Sequence, residues 1–178
     1  MADSFSSVLG ALRPRREHVL PFLLVGYVLG YAGVVWMSGW VPAWVTERTA
    51  LAATPPLAYV TATIVVAVAP DRVPSPSGSQ ARWALAFCGL TVVAFEALRA
   101  GWGPSFRGLL LPIAVFGWPA AALVWIGILL TWSGPLPASG GLLLFGIGAA
   151  ATGVWQFWLA GWVSRRIAGV RANRSADE

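Results

Sequence analysis

Residues that carry catalytic or metal-binding chemistry are scarce in this sequence. Cys88 is the only cysteine, and His18 is the only histidine. A single cysteine excludes an intramolecular disulfide, a CxxC redox pair and a cysteine-rich metal site. A single histidine excludes bis-histidine haem ligation within the chain. We therefore expect no metal site and no cofactor.

Sequence motifs of known catalytic sites are also missing. The chain has no phosphate-binding P-loop, no GxSxG nucleophile motif, no HExxH zinc motif and no pair of carboxylates spaced for acid–base chemistry. Acidic residues number seven, and of these only Glu96 lies within an apolar segment. These absences predict a protein that is not an enzyme.

Charge is sparse and unevenly distributed. Charged residues make up 11% of the chain, against 57% hydrophobic residues, which is far from the balance of soluble domains. No charged residue occurs from Val19 to Thr46 or from Gly108 to Ser164. A membrane-spanning helix needs about 20 apolar residues. The sequence therefore predicts an all-α, polytopic transmembrane helical bundle with short loops, a multi-pass protein of the cell membrane surrounded by the lipid bilayer.

The excess of positive charge does not indicate nucleic-acid binding. The net charge is +5, and all twelve basic residues are arginine. A nucleic-acid footprint needs basic residues on one face of a soluble fold, whereas cytoplasmic ends of membrane helices collect arginine. We expect no nucleic-acid partner and a cytoplasmic C-terminal tail. The arginines that flank the apolar region are Arg13, Arg15 and Arg16 before it and Arg165, Arg166, Arg171 and Arg174 after it.

Prolines, glycines and charges divide the apolar region into five hydrophobic segments. Stretches rich in Pro, Gly and Ser at residues 70–79 and 133–140 predict loops. We predict a polar segment over residues 1–18, a transmembrane domain over 19–164 and an Arg-rich tail over 165–178. The predicted helices cover residues 19–40, 49–69, 82–100, 108–132 and 141–163.

The third segment, residues 82–100, is open to two interpretations. Glu96 interrupts its apolar run, and Arg82 and Arg99 bound it, so a crossing requires these side chains to extend to the interface. If the segment does not cross, Arg48 is the only arginine outside, which favours four crossings. Its apolar circumference favours a fifth crossing, because an interfacial helix has a charged face. We expect four or five crossings.

Glu96 and Gln156 are the polar side chains predicted to lie within apolar segments. An ionisable residue inside a membrane is a functional candidate, and Arg99 follows Glu96 on the same helix face. Glu96 then forms a proton, cation or cationic-ligand site, or the two residues simply mark the helix end at the headgroups. Gln156 either hydrogen-bonds across helices or contacts a ligand.

Tryptophans form a stripe along the fourth segment. Trp118, Trp125 and Trp132 recur every seven residues, and Trp125 lies near mid-span, away from the interfacial belts. Pro112 and Pro119 in the same segment predict a kink or widened turn. The stripe either packs against helices and lipid or lines an aromatic pocket at an interrupted helix.

Small residues four positions apart predict close helix packing, within the chain or between subunits, because they let helix backbones approach. These residues are Gly26 and Gly30 in the first segment, Gly117 and Ala121 in the fourth, and Gly146, Ala149, Ala150 and Gly153 in the fifth.

Two functions fit these observations. The first is a subunit or scaffold of a larger membrane assembly, bound to a partner membrane subunit or to further copies of itself. The alternative is a small-solute carrier, or the membrane-embedded substrate-binding component of a transporter, with a Trp-lined pocket. Its candidate ligand contacts are Glu96, Arg99, Gln156, Trp118 and Trp125.

Overall fold

The computed structural model describes residues 13–37, 43–99, 110–134 and 138–176. Regular structure in these ranges is entirely helical, so the all-α prediction is confirmed. The helices are α1 Val19–Met37, α2 Ala43–Val68, α3 Gly78–Arg99, α4 Leu110–Phe116, α5 Trp118–Trp132 and α6 Ala138–Ala176, with short 3-10 helices at Arg16–His18 and Pro70–Arg72.

The chain forms two compact units, Met1–Ser75 and Pro76–Glu178. In the first unit α1 packs against α2. Their contact is made by small residues: a Cβ built on Gly26 would lie 3.7 Å from the Ala58 Cβ, and one on Gly30 would lie 3.8 Å from the Thr54 Cγ2. The two helix backbones are therefore close enough for ordinary van der Waals contact without large side chains between them.

Helix α2 begins earlier than the sequence predicts. The prediction placed its start at residue 49, but the helix begins at Ala43 and contains Pro55 and Pro56 in its interior. Proline inside a helix removes a backbone donor and bends the axis. The 3-10 helix at Pro70–Arg72 follows the end of α2.

In the second unit α6 packs against both α3 and α5, and α4 packs against α3. Helices α5 and α6 approach closely at Gly148, where a Cβ would lie 3.1 Å from both the Ala120 Cα and the Leu123 Cβ. Ala84 and Ala160 are fully buried. Small residues thus fill the helix contacts of this unit as they do in the first.

Helix α6 is the longest element of the fold. It has 39 residues, which corresponds to about 58 Å at 1.5 Å per residue, and it continues from the predicted segment 141–163 through most of the Arg-rich tail. Within the described residues, one helix is long and apolar enough to cross a membrane, and it is Leu143–Asn173 of α6. Shorter apolar stretches occur at Ala52–Val68 and Trp118–Trp132.

Large apolar side chains lie mainly on the outside of both units. Val68 is 79% exposed, Leu143 70% and Trp132 86%. Soluble proteins bury most residues of this kind and leave few contiguous apolar patches in water. Both units therefore present exposed apolar faces.

Candidate functional site

The fourth hydrophobic segment is interrupted near its middle. Helix α4 ends at Phe116 and α5 begins at Trp118, with Gly117 between them at φ −109° and ψ 4°. The Gly117 N–H still donates to the Ile113 carbonyl at 2.8 Å, and the Gly117 carbonyl accepts from the Ala121 N–H at 3.1 Å. The break is therefore confined to about one helical turn.

This break leaves backbone groups that the helix cannot pair. In an unbroken helix, the Val115 carbonyl would accept from residue 119 and the Phe116 carbonyl from residue 120. Pro119 has no N–H to donate. The Ala120 N–H instead donates to the Thr152 Oγ1 at 3.0 Å. Two carbonyls and one N–H thus require partners from outside the helix, because an unpaired backbone group in an apolar environment is unfavourable.

Three side chains of α6 supply these partners, and we call Thr152, Trp155 and Gln156 the α6 clasp. Trp155 donates from Nε1 to the Val115 carbonyl at 2.8 Å. Gln156 donates from Nε2 to the Phe116 carbonyl at 3.1 Å. Thr152 accepts from Ala120, as above, and donates to the Gly148 carbonyl at 2.9 Å. Spacings of three and four residues place the clasp on one face of α6.

The clasp also reaches α3 through Gln156, whose side chain is fully buried. Its Nε2 donates to the Thr91 Oγ1 at 3.0 Å, and the Thr91 hydroxyl donates to the Phe87 carbonyl at 2.8 Å. The Phe87 and Phe116 rings stack with centroids 4.5 Å apart. Helices α3, α4 and α6 therefore meet at one buried amide.

The hydrogen bonds of the α6 clasp join neighbouring helices of the second unit. Carbonyls freed at a broken helix can coordinate cations in membrane carriers. Here the Val115 and Phe116 carbonyls already accept hydrogen bonds from Trp155 and Gln156. The groups of the clasp are all neutral, and no cluster of metal-ligating side chains occurs among the described residues.

The tryptophan stripe of α5 lies on the outside of the second unit. Trp125 is 66% exposed, and Trp118 and Trp132 are also exposed. Among the described side chains of the stripe and α6, the Trp118 ring makes an edge-to-face contact with Trp155, with centroids 5.7 Å apart, and Trp155 in turn stacks on Trp158. The stripe therefore faces the surroundings of the unit over most of its length.

Glu96 lies in the last turn of α3, half-buried and in contact with other groups of the chain. It is five residues from Thr91, about 7.5 Å along the helix, and belongs to a different turn from the one that meets Gln156. The side chain of Arg99 lies outside the described residues, so the predicted pairing with Glu96 lies there too.

The predicted packing residues have different surroundings. Gly117, Ala149 and Gly153 are buried, and Ala121 and Ala150 are half-buried. A Cβ built on Gly146 would meet nothing within 4 Å.

The sequence predictions do not include Thr91, Gly148 or Thr152 as site residues, or a polar role for Trp155. One signal was available for part of this set. Pro119 implies an unpaired carbonyl at Val115, and Thr152 and Gln156 are polar residues four positions apart in an apolar segment.

Comparison of the chain with protein-family models, with curated proteins and with solved structures finds no match. Its function is therefore inferred from its own residues and surfaces.

Proposed function

We propose that this chain is a multi-pass integral membrane protein without catalytic activity, and that it serves as a subunit or scaffold of a larger membrane assembly. The observation that carries the proposal is the α6 clasp. The polar side chains at the centre of the second unit are used to close a broken helix of the same chain, which is a structural task.

The distribution of side-chain size supports a membrane location. Transferring a large apolar side chain out of water is favourable by about 1.5–3 kcal/mol, so the many exposed Val, Leu, Ile and Trp residues favour lipid surroundings. Membrane helices associate through small residues rather than through large apolar ones. Gly26, Gly30 and Gly148 occupy such contacts.

The arginines of α6 indicate where this helix leaves the bilayer. From Leu143 to Trp162 the helix covers about 30 Å, which equals the thickness of the hydrocarbon core. The Arg166 guanidinium lies 5.4 Å from the centre of the Trp162 ring, a pairing suited to the headgroup region. By the positive-inside rule this end of α6 is cytoplasmic, and the rest of the helix extends beyond the membrane.

The number of crossings that we propose depends on which helix end lies beside the Arg-rich end of α6. The Ser79 and Ser164 hydroxyls hydrogen-bond to each other, so the start of α3 and the Arg-rich end of α6 lie at the same face. An even number of full crossings then separates Arg82 from Arg165, whereas five alternating crossings would place them on opposite sides. With α1 and α2 both crossing, we propose four full crossings for the chain.

The carrier hypothesis has less support. It needs free ligating groups at the break in the fourth segment and an aromatic pocket around Trp125. The carbonyls at the break are hydrogen-bonded by the clasp, and the Trp125 side chain is mostly exposed. An outward-facing Trp is suited to contact with lipid or with a neighbouring subunit.

Photo-crosslinking in intact membranes tests the subunit role. A photoreactive phenylalanine analogue is placed at Trp125, and a matched control carries it at Trp155, which hydrogen-bonds within the unit. We expect the Trp125 variant to form a protein adduct of one discrete mass and the control to form none. A third variant carries the analogue at Val60, an exposed residue of the first unit. Adducts with lipid alone at both Trp125 and Val60 would contradict the proposal.

A further inference from the structure

A groove lies at the polar end of the second unit, between the first turns of α3 and the C-terminal part of α6. It has a volume of about 460 Å³. The hydrogen bond between Ser79 and Ser164 joins the two helices there. The lining residues are Ser79, Arg82, Trp83, Ala86, Ser164, Ile167, Ala168 and Arg171.

The groove is strongly basic. Arg82 and Arg171 both line it, and both are exposed. The Arg82 Nε donates to the Gly78 carbonyl at 3.2 Å, a bond that does not use the two terminal nitrogens of the guanidinium. Arg165 and Arg166 add positive charge on the same stretch of α6.

Acidic groups are scarce in the described part of the second unit. Glu96 is the only acidic residue described there. It lies fourteen residues from Arg82, about 21 Å along α3, which is beyond the Debye length at physiological ionic strength. Within the described part of this unit, no carboxylate therefore lies close to Arg82.

The lining also has an apolar part. Trp83 and Ala86 lie beside the polar residues, where α3 passes from charged to apolar sequence, and Ile167 and Ala168 lie between the arginines of α6. Because side chains of a helix tilt toward its N-terminus, Arg82 and Trp83 lean toward the polar end of α3. A ligand with an anionic head and an apolar body matches this order of groups.

We propose that this groove binds the phosphate of an anionic phospholipid headgroup, with Arg82 and Arg171 contacting the phosphate and Trp83 and Ala86 contacting the start of the acyl chains. Guanidinium groups bind phosphate through paired N–H donors, and basic pockets between membrane helices on the cytoplasmic side hold anionic headgroups. This inference rests on the proposed membrane location and adds a lipid ligand to it.

The test is a lipid titration of the full chain purified in a neutral detergent, followed by native mass spectrometry. Phosphatidylglycerol and phosphatidylcholine are the two probes, and we expect clear preference for phosphatidylglycerol. Arg82→Gln and Arg171→Gln should each lower phosphatidylglycerol affinity about fivefold. Arg72→Gln is the matched control, because Arg72 is an exposed arginine outside the groove, and it should leave the affinity unchanged.

Three results would overturn the assignment: equal binding of the two lipids, an equal loss in the Arg72 variant, or displacement of phosphatidylglycerol by millimolar inorganic phosphate, which would indicate a soluble phosphate ligand. Circular dichroism verifies folding, and Arg171→Gln removes no hydrogen bond of the described structure. The titration reads the mass of added lipid, so it applies to the chain with or without a companion subunit. A chain that leaves the membrane without detergent would instead refute the proposed function.

Discussion

Among single residues, Pro119 has the widest structural consequences. Its missing N–H leaves the Val115 carbonyl without a helical partner, and Trp155 of α6 donates to that carbonyl. Gln156 and Thr152 pair the neighbouring groups in the same way. The missing donor of Pro119 and the break at Gly117 thus leave three backbone groups that side chains of α6 pair.

Trp155→Phe removes only the Nε1 hydrogen bond of the clasp and keeps an aromatic ring in place. We expect it to lower the free energy of unfolding by about 1 kcal/mol, as one interhelical hydrogen bond in a membrane is worth. In a Pro119→Ala background, residue 119 can donate to Val115, so the loss should be much smaller. Unfolding in mixed micelles, followed by circular dichroism, measures both.

A loss of equal size in the two backgrounds would show that the Trp155 bond does not replace the helical one. The aromatic contacts of Trp155 with Trp118 and Trp158 would then be its main contribution.

His18 is a buried titratable residue that ends the 3-10 helix preceding α1. Its ring meets the Tyr59 ring edge-to-face with centroids 5.7 Å apart, and its Nδ1 accepts from the Arg15 N–H at 3.4 Å. Burial lowers the pKa of His18, and the charge of Arg15 lowers it further. The folded protein therefore binds this proton less readily than the unfolded chain does.

The stability of the first unit should depend on this proton. Above the ordinary histidine pKa of about 6.5, His18 is neutral in both states and stability is constant. As the pH falls below that value, the unfolded chain takes up the proton first, so the free energy of unfolding decreases. Thermal unfolding of the wild-type protein and of His18→Phe, from about pH 7.5 to about pH 5, measures this decrease. The variant should not show it.

A second group titrates at lower pH and does not interfere. The Ser75 hydroxyl donates to the Glu17 carboxylate at 2.8 Å, which lowers the pKa of Glu17. Its contribution is lost only below the ordinary Glu value of about 4.3. An equal pH response in His18→Phe would assign the decrease to another group.

For the helices as elements, packing depends on where small residues face a neighbour. Gly148 lies against Ala120 and Leu123 of α5, whereas Gly146 meets nothing within 4 Å. Only the first position needs the absence of a side chain, although both glycines belong to the same apolar stretch of α6.

Gly148→Leu and Gly146→Leu form a matched pair. The first must push α5 away from α6, and we expect a loss of at least about 2 kcal/mol, the typical cost of overpacking. The second adds an apolar side chain on an open surface and should be neutral or mildly stabilising. Unfolding in mixed micelles compares them, and an equal loss would contradict the described α5–α6 contact.

The sequence predicted the presence of helices better than their ends. Charge-free runs locate α1 and α6, because only apolar residues are tolerated over such lengths in lipid. The continuation of α6 past Arg165 was missed, because the arginines were interpreted as the start of a polar tail although arginine is a good helix former. The early start of α2 was missed because the charges of Glu47 and Arg48 were interpreted as the boundary between two segments.

The candidate site was only partly predictable for a different reason. Gln156 was recognisable as a polar group in an apolar segment, and Pro112 and Pro119 indicated a break. The partners Thr91 and Phe116 depend on which helices are neighbours, and one sequence without relatives does not contain that information.

At the scale of the whole molecule, the proposed topology of four crossings predicts which loops share a side of the membrane. In a Cys88→Ser background, Ser77→Cys and Asn173→Cys should both react with a membrane-impermeant maleimide only after the cells are lysed. Ser133→Cys, beyond the other end of α6, should react in intact cells. Opposite accessibility of positions 77 and 173 would contradict the even number of crossings between them.

The proposed subunit role requires a companion chain, and the intact protein can be tested for one directly. The measurement is native mass spectrometry of the full chain purified from its own membranes in mild detergent through a C-terminal tag. We expect a complex whose mass exceeds the 18.8 kDa chain by that of a different protein at fixed stoichiometry. A stable monomer, or an assembly of this chain alone that binds a small solute saturably, would contradict it.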